Sequence, residues 1–143
     1  MIRMTQTLLK PLDRSLRALM ELAPEVQVFL TGCGVSERAV FKVQLALEES
    51  IRNLIEHATG SLTNRIDLRI DVRPNQIVIL LEDDSQPFDP QSAPPFNPTT
   101  PLEERAPQGM GLHLLHKLMD EIHYERVGCR NRLRLVVASS PSR

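Results

Sequence analysis

The chain has 143 residues, room for one domain that buries about two-thirds of its unfolded surface and too few for a second full domain. Hydrophobic residues make up 41% and charged residues 24%, an ordinary globular balance, and a net charge of -1 gives no general attraction to nucleic acid or anionic membrane. No apolar run approaches the roughly 20 residues of a membrane helix and the opening MIRMTQTLLKP lacks the apolar core and cleavage site of a leader, so a cytoplasmic protein with no membrane partner is expected.

In chain order, IRMTQTLL alternates weakly and suits an edge strand that Pro11 closes. LDRSLRALMELAPEVQVFLTGCG has helical spacing, with Pro24 expected to kink it or start a second segment and Gly32 and Gly34 to end it. VSERAVFKVQLALEESIRNLIEHATG is the clearest helix. Ser36 suits the N-cap, Val40, Val43, Leu47, Ile51, Leu54 and Ala58 recur on one face, and Gly60 is the stop.

Ile66, Leu68, Ile70 and Val72 then alternate with Arg65, Asp67, Arg69, Asp71 and Arg73, a strand with one wet face. A turn at Pro74 and Asn75 feeds the apolar run Ile77 to Leu81, giving an antiparallel hairpin. That run ends on the acidic pair Asp83 and Asp84. SQPFDPQSAPPFNPTTPLEERAPQ follows with most of the chain's 11 prolines, a length uncommon in a compact domain unless it serves a function or is disordered. GMGLHLLHKLMDEI returns to helix with Leu112, Leu115, Leu118, Met119 and Ile122 on one face, and HYERV and NRLRLVV are strands about a turn at Gly128 to Arg130. These elements give an α/β (α+β) two-layer sandwich, a mixed, mostly antiparallel sheet covered on one face by helices.

Three constellations could carry chemistry. Glu49, Asn53 and His57 stand at i, i+4 and i+8 on one side of the long helix, a pattern that any solvated helix face also shows. Asp83, Asp84, Phe88 and Asp89 cluster where the buried strand ends, and turn capping alone accounts for many such aspartates. QGMGLHLL puts a glycine pair at a helix start, where free N–H groups suit an anion. His113 and His116 lack a third metal ligand, Cys33 and Cys129 lack a partner ligand, and the outward Arg65, Arg69, Arg73, Arg132 and Arg134 alternate with acids as solvated strands do.

The order of the motifs is what discriminates. LALEESIRNLIEHA, EDDSQPFDP and GMGLHLLHKLMDEIHYERVGCRNRL, over about residues 36 to 138, resemble the N-box and the two glycine boxes of the histidine-kinase-like ATPase superfamily, with its Bergerat ATP-binding fold. More narrowly, the chain resembles the anti-sigma factor serine/threonine kinase family. The resemblance implies one domain over 1–143 with a lid at about 85–108, binding ATP and Mg²⁺. It implies that Asp83 accepts from the adenine amine beside Ser85 and Phe88, that the Asn53 amide holds Mg²⁺, and that Glu49 is general base for a substrate serine or threonine. By the same resemblance Gly109, Met110, Gly111 and Leu112 offer N–H groups to the phosphates and Arg105 approaches the γ-phosphate.

The implied partners are an anti-sigma-factor antagonist as substrate and a sigma factor or similar regulator, with a possible homodimer. Ser85 departs from the pattern, since the family usually has glycine there, which lets the backbone approach the base or take positive φ. That departure leaves a second expectation in play, a non-catalytic ATP/ADP-binding switch that regulates a partner without phosphoryl transfer.

Overall fold

The computed structural model describes residues 4–89 and 114–139. Five strands, β1 (Gln6–Asp13), β2 (Arg65–Val72), β3 (Gln76–Asp83), β4 (Glu121–Val127) and β5 (Arg130–Ala138), form one sheet in the order β1-β2-β3-β5-β4. Two long helices, α1 (Leu16–Gly32) and α2 (Glu37–His57), lie between β1 and β2 in the chain, and a short helical stretch at 114–118 leads into β4. The expected two-layer sandwich is therefore present. Where a mixed sheet was expected, all four pairings among the described strands are antiparallel.

Helix entry follows the sequence closely. Ser15 Oγ accepts from the Ala18 amide at 3.1 Å and Ser36 Oγ from the Ala39 amide at 3.2 Å, so both helices begin on a serine cap. The apolar stripes Leu19, Leu22, Val26 and Leu30 of α1 and Val40, Val43, Leu47 and Ile51 of α2 are buried against Ile66, Leu68, Ile70, Ile79, Leu81, Leu133 and Leu135 of the sheet.

Pro11 does not act as expected, and Pro24 does not start a second segment. Pro11 does not close β1, which runs on to Asp13 with Pro11 opposite Asp67. An edge strand accommodates proline because a missing N–H on its open side costs no ladder bond. Pro24 sits inside a continuous α1. Its local cost of about 3 kcal/mol is outweighed by the four buried side chains of that helix, each worth roughly 1.5–3 kcal/mol.

The outer sheet face carries cross-strand ion pairs. Arg130 bridges Asp67 at 2.7 Å and Glu82 at 3.3 Å, while Arg132 bridges Glu82 at 2.8 Å and Glu125 at 3.2 Å. These exposed pairs contribute about 0.2–1 kcal/mol each, so the inner face holds the fold together. No helix among the described residues is long and apolar enough to cross a membrane.

Register decides what meets at one end of the sandwich. Leu12 pairs with Ile66, Ile66 with Asp83, Asp83 with Asn131 and Asn131 with Arg126. The carboxyl end of β3 therefore faces the amino end of β5, beneath the last turn of α2.

Candidate functional site

The acidic pair that ends β3 divides its work. Inward-facing side chains of β3 alternate, so Asp83 follows Ile77, Ile79 and Leu81 into the core and is 1% exposed. Asp84 turns the other way and accepts from Ser61 Oγ at 2.5 Å, from the amides of Leu62 and Thr63 at 3.2 and 3.1 Å, and from Thr63 Oγ1 at 3.2 Å. These donors, Ser61 first, hold the Asp84 carboxyl below the usual carboxylate range. Asp84 is thus a clasp on the α2–β2 loop.

Asp83 has three partners of its own. Its Oδ1 accepts from Asn131 Nδ2 at 3.2 Å, and its Oδ2 accepts from the Ser85 amide at 3.2 Å and faces Arg14 Nη1 at 3.5 Å. Asn131 gathers the neighbouring turn as well, since its Oδ1 accepts from the Phe88 amide at 3.1 Å, Tyr124 Oη at 2.6 Å and Arg126 Nη1 at 3.2 Å. Arg126 also reaches the Ser85 carbonyl at 2.7 Å.

Ser85 is fully buried, and its hydroxyl accepts from Asn131 Nδ2 at 3.0 Å. The only positive-φ non-glycine among the described residues is Asn64, so Ser85 takes no left-handed conformation. A positive φ, one of the two reasons expected for glycine here, is therefore not required, and β5 supplies the partner that the added hydroxyl requires.

The polar side of α2 is less solvated than its spacing implies. Asn53 and Ser50 are buried, and both Asn53 Nδ2 and Ser50 Oγ are without a hydrogen-bond partner among the described residues. Buried polar groups of this kind are few in folded proteins and call for an explanation. Glu49 is half-buried. Desolvation pushes its carboxyl above the usual range, while Asn53 and Arg52 pull the other way. His57, by contrast, is exposed.

Ser50, Leu54, Leu81, Asp83, Phe88, Tyr124, Asn131 and Leu133 enclose a cavity of about 20 Å³. That volume suits one water, whose centre needs about 10–15 Å³. Arg105, Gly109, Met110, Gly111, Leu112 and most of the expected lid lie outside the described residues. No cluster of three or more potential metal ligands occurs among the described residues, and His116 stands exposed.

Two residues of this cluster carry no motif. Asn131 had a faint signal, the single polar residue on the inward face that continues as Leu133, Leu135 and Val137. Arg14 had none, because it sits in the link between β1 and α1 where no periodicity applies.

A family model for the histidine kinase-like ATPase domain matches residues 12–137, from the end of β1 through all but the last residue of β5. The chain belongs to this family. Within the histidine kinase-like ATPases it is similar to the serine-protein kinase RsbW of Bacillus licheniformis, with 26% identity over 98 residues, covering 64% of this chain and 61% of that protein. It is also similar to RsbW of Bacillus thuringiensis, at 27% over 103 residues, 65% of this chain and 64% of the relative. The domain thus spans under two-thirds of the length of the curated relatives it matches. In fold it resembles a Mycobacterium tuberculosis protein solved with its RsbU and RsbW domains, with a TM-score of 0.68 at 13% identity, covering 96% of this chain and 34% of that one.

Proposed function

We propose that this histidine kinase-like ATPase domain binds ATP with Mg²⁺ and phosphorylates a serine or threonine of an anti-sigma-factor antagonist, exchanging that partner for a sigma factor or similar regulator in the cytoplasm. The observation that carries the proposal is the buried Asp83 at the end of β3, beside a helix whose Ser50 and Asn53 keep buried polar atoms without a partner among the described residues. Likeness to serine-protein kinases of the RsbW type supports the reaction class.

Bound here, ATP would supply the phosphoryl group and Mg²⁺ the positive charge that neutralises the phosphate oxygens. Asp83 is the acceptor for an exocyclic base amine, and Phe88 the apolar side chain beside it. Asn53 offers its amide oxygen to the cation, a ligand type suited to a hard ion. Glu49 takes the proton of the attacking hydroxyl. Burial raises its pKa, which makes it a stronger base than an ordinary carboxylate. Gly109, Met110, Gly111 and Leu112 toward the phosphates and Arg105 toward the γ-phosphate enter from the family resemblance alone, as does a homodimer.

Calorimetric titration with ATP–Mg²⁺ beside an Asp83→Asn protein tests the site. Saturable binding that the substitution removes is the expected result, and binding indifferent to it overturns the assignment. Transfer of labelled phosphate to an antagonist protein, lost in Glu49→Gln, tests the chemistry.

A second reading is favoured by one observation. Both oxygens of Asp83 already have partners and the adjoining cavity has room for about one water, so a nucleotide entering there must rearrange the turn at 85–88. Such coupling suits an ATP/ADP switch that acts on its partner without phosphoryl transfer. A Glu49→Ala protein that binds ATP and still regulates its partner would decide for the switch.

A further inference from the structure

Arg14 is the residue that the motifs do not account for. It occupies the two-residue link between β1 and α1, and its side chain is 9% exposed. Its amide donates to the Asn64 carbonyl at 2.9 Å, which fixes the backbone to the start of β2. Nη2 donates to the carbonyls of Leu54 and Ala58, in the last turn and at the C-cap of α2. Those carbonyls have no following helical turn to bond, so the guanidinium serves as the cap. Nη1 faces Asp83 Oδ2 at 3.5 Å, outside hydrogen-bond geometry and with no other partner among the described residues.

One planar group therefore touches both halves of the candidate site, the helix that carries Glu49 and Asn53 and the carboxylate at the end of β3. Burying a guanidinium is costly unless it is well paired, and its fixed fork of donors can span two acceptor sets that a lysine ammonium meets only one at a time.

We propose that Arg14 is a positioning residue for base recognition: it fixes Asp83 against the end of α2, so that the carboxylate presents acceptors where a purine carries its 6-substituent. The inference rests on the nucleotide reading above and adds a specificity to it. An acceptor held rigidly there suits the 6-amino group of adenine and repels the 6-oxo group of hypoxanthine, because the latter leaves two acceptors facing each other. Without Arg14 the carboxylate loses its countercharge and one of its three fixed partners, and discrimination narrows.

The test is calorimetric titration of wild type, Arg14→Gln and Arg14→Lys with ATP and, separately, with ITP, each with Mg²⁺. Sites built around a substrate's hydrogen bond reject an analogue that lacks it strongly, so wild type is expected to prefer ATP by about 100-fold or more. Arg14→Gln should cut that ratio by about tenfold, and Arg14→Lys, which keeps the charge but not the fork, should fall between. A merely structural role weakens both nucleotides together, and an unchanged ratio in Arg14→Gln overturns the inference.

A thermal-denaturation cycle of Arg14→Gln with Asp83→Asn, without nucleotide, reads the contact itself. Coupling is expected, and strict additivity overturns the inference. Should Arg14→Gln fail to fold, Arg14→Lys carries both measurements. Wild type that binds ATP and ITP equally sinks the inference and leaves ATP binding intact, whereas wild type that binds neither sinks the nucleotide reading and the inference with it.

Discussion

Restoring the family-typical residue at position 85 should make this protein less stable. In Ser85→Gly the hydroxyl that accepts from Asn131 Nδ2 at 3.0 Å is lost, while Asn131 Nδ2 keeps Asp83 Oδ1, the Ser85 carbonyl and the Gln86 carbonyl as acceptors. No donor is orphaned, so the lost bond is worth its net value of about 1 kcal/mol. Glycine adds roughly 0.5–1 kcal/mol of unfolded-chain entropy. Nothing offsets these terms through relief of backbone strain, because Ser85 is not in the left-handed region. The sum is about 1.5–2 kcal/mol, which for a domain of this size lowers Tm by roughly 4–8 °C. Urea denaturation of both proteins, followed by circular dichroism, measures it. A Ser85→Gly protein as stable as wild type, or more stable, would refute the account of how β5 accommodates the serine, since relieving a strained φ would stabilise by about 1–2 kcal/mol.

Three further outcomes follow from the same contacts. Burial raises the Glu49 pKa, so the stability linked to its proton is fully present below the unfolded carboxylate value and is lost as pH rises through the folded one. Glu49→Gln should therefore raise the urea midpoint at neutral pH and change it little near pH 4, while phosphoryl transfer drops by about 10²–10⁴; an equal gain at both pH values would contradict the desolvation argument. Asp84 is shifted downward by Ser61 and Thr63, so its contribution is present above the unfolded value and disappears as pH falls through the folded one. Asp84→Ala should cost about 1–2 kcal/mol at pH 7 and much less in acid, by thermal denaturation across that range. Gly60 has φ of 79° and an added Cβ would stand 2.9 Å from Gln86 Cγ, so Gly60→Ala should cost about 1–2 kcal/mol, part of it recovered in the double variant with Gln86→Ala.

Much of the architecture could be read along the chain because it depends on short-range periodicity. The α2 stripe from Val40 to Leu54, its Ser36 cap, and the alternation of Ile66 to Val72 all stand where the pattern put them. Where the reading failed, at the strand end expected at Pro11 and the second segment expected at Pro24, a local penalty was overruled by pairing at a sheet edge and by burial of one helix face. The polar side of α2 was misjudged for a related reason. Helical spacing tells which residues share a side, and Glu49 and Asn53 do, but whether a neighbouring strand end covers that side is a matter of tertiary placement, and here Asn53 is buried.

The sequence by itself determined the element order, the Ser36 cap, the core faces and the motifs that mark Glu49, Asn53 and Asp83, because each depends on residues a few positions apart. Only the tertiary structure decided that Asp83 and Asp84 point to different partners, that Asn131 stands opposite Asp83, and that Arg14 joins Asp83 to the end of α2. Those contacts link residues from 23 to 69 positions apart, and nothing in the local spacing of either partner encodes them. They arise when antiparallel register and helix packing bring the ends of four elements to one place.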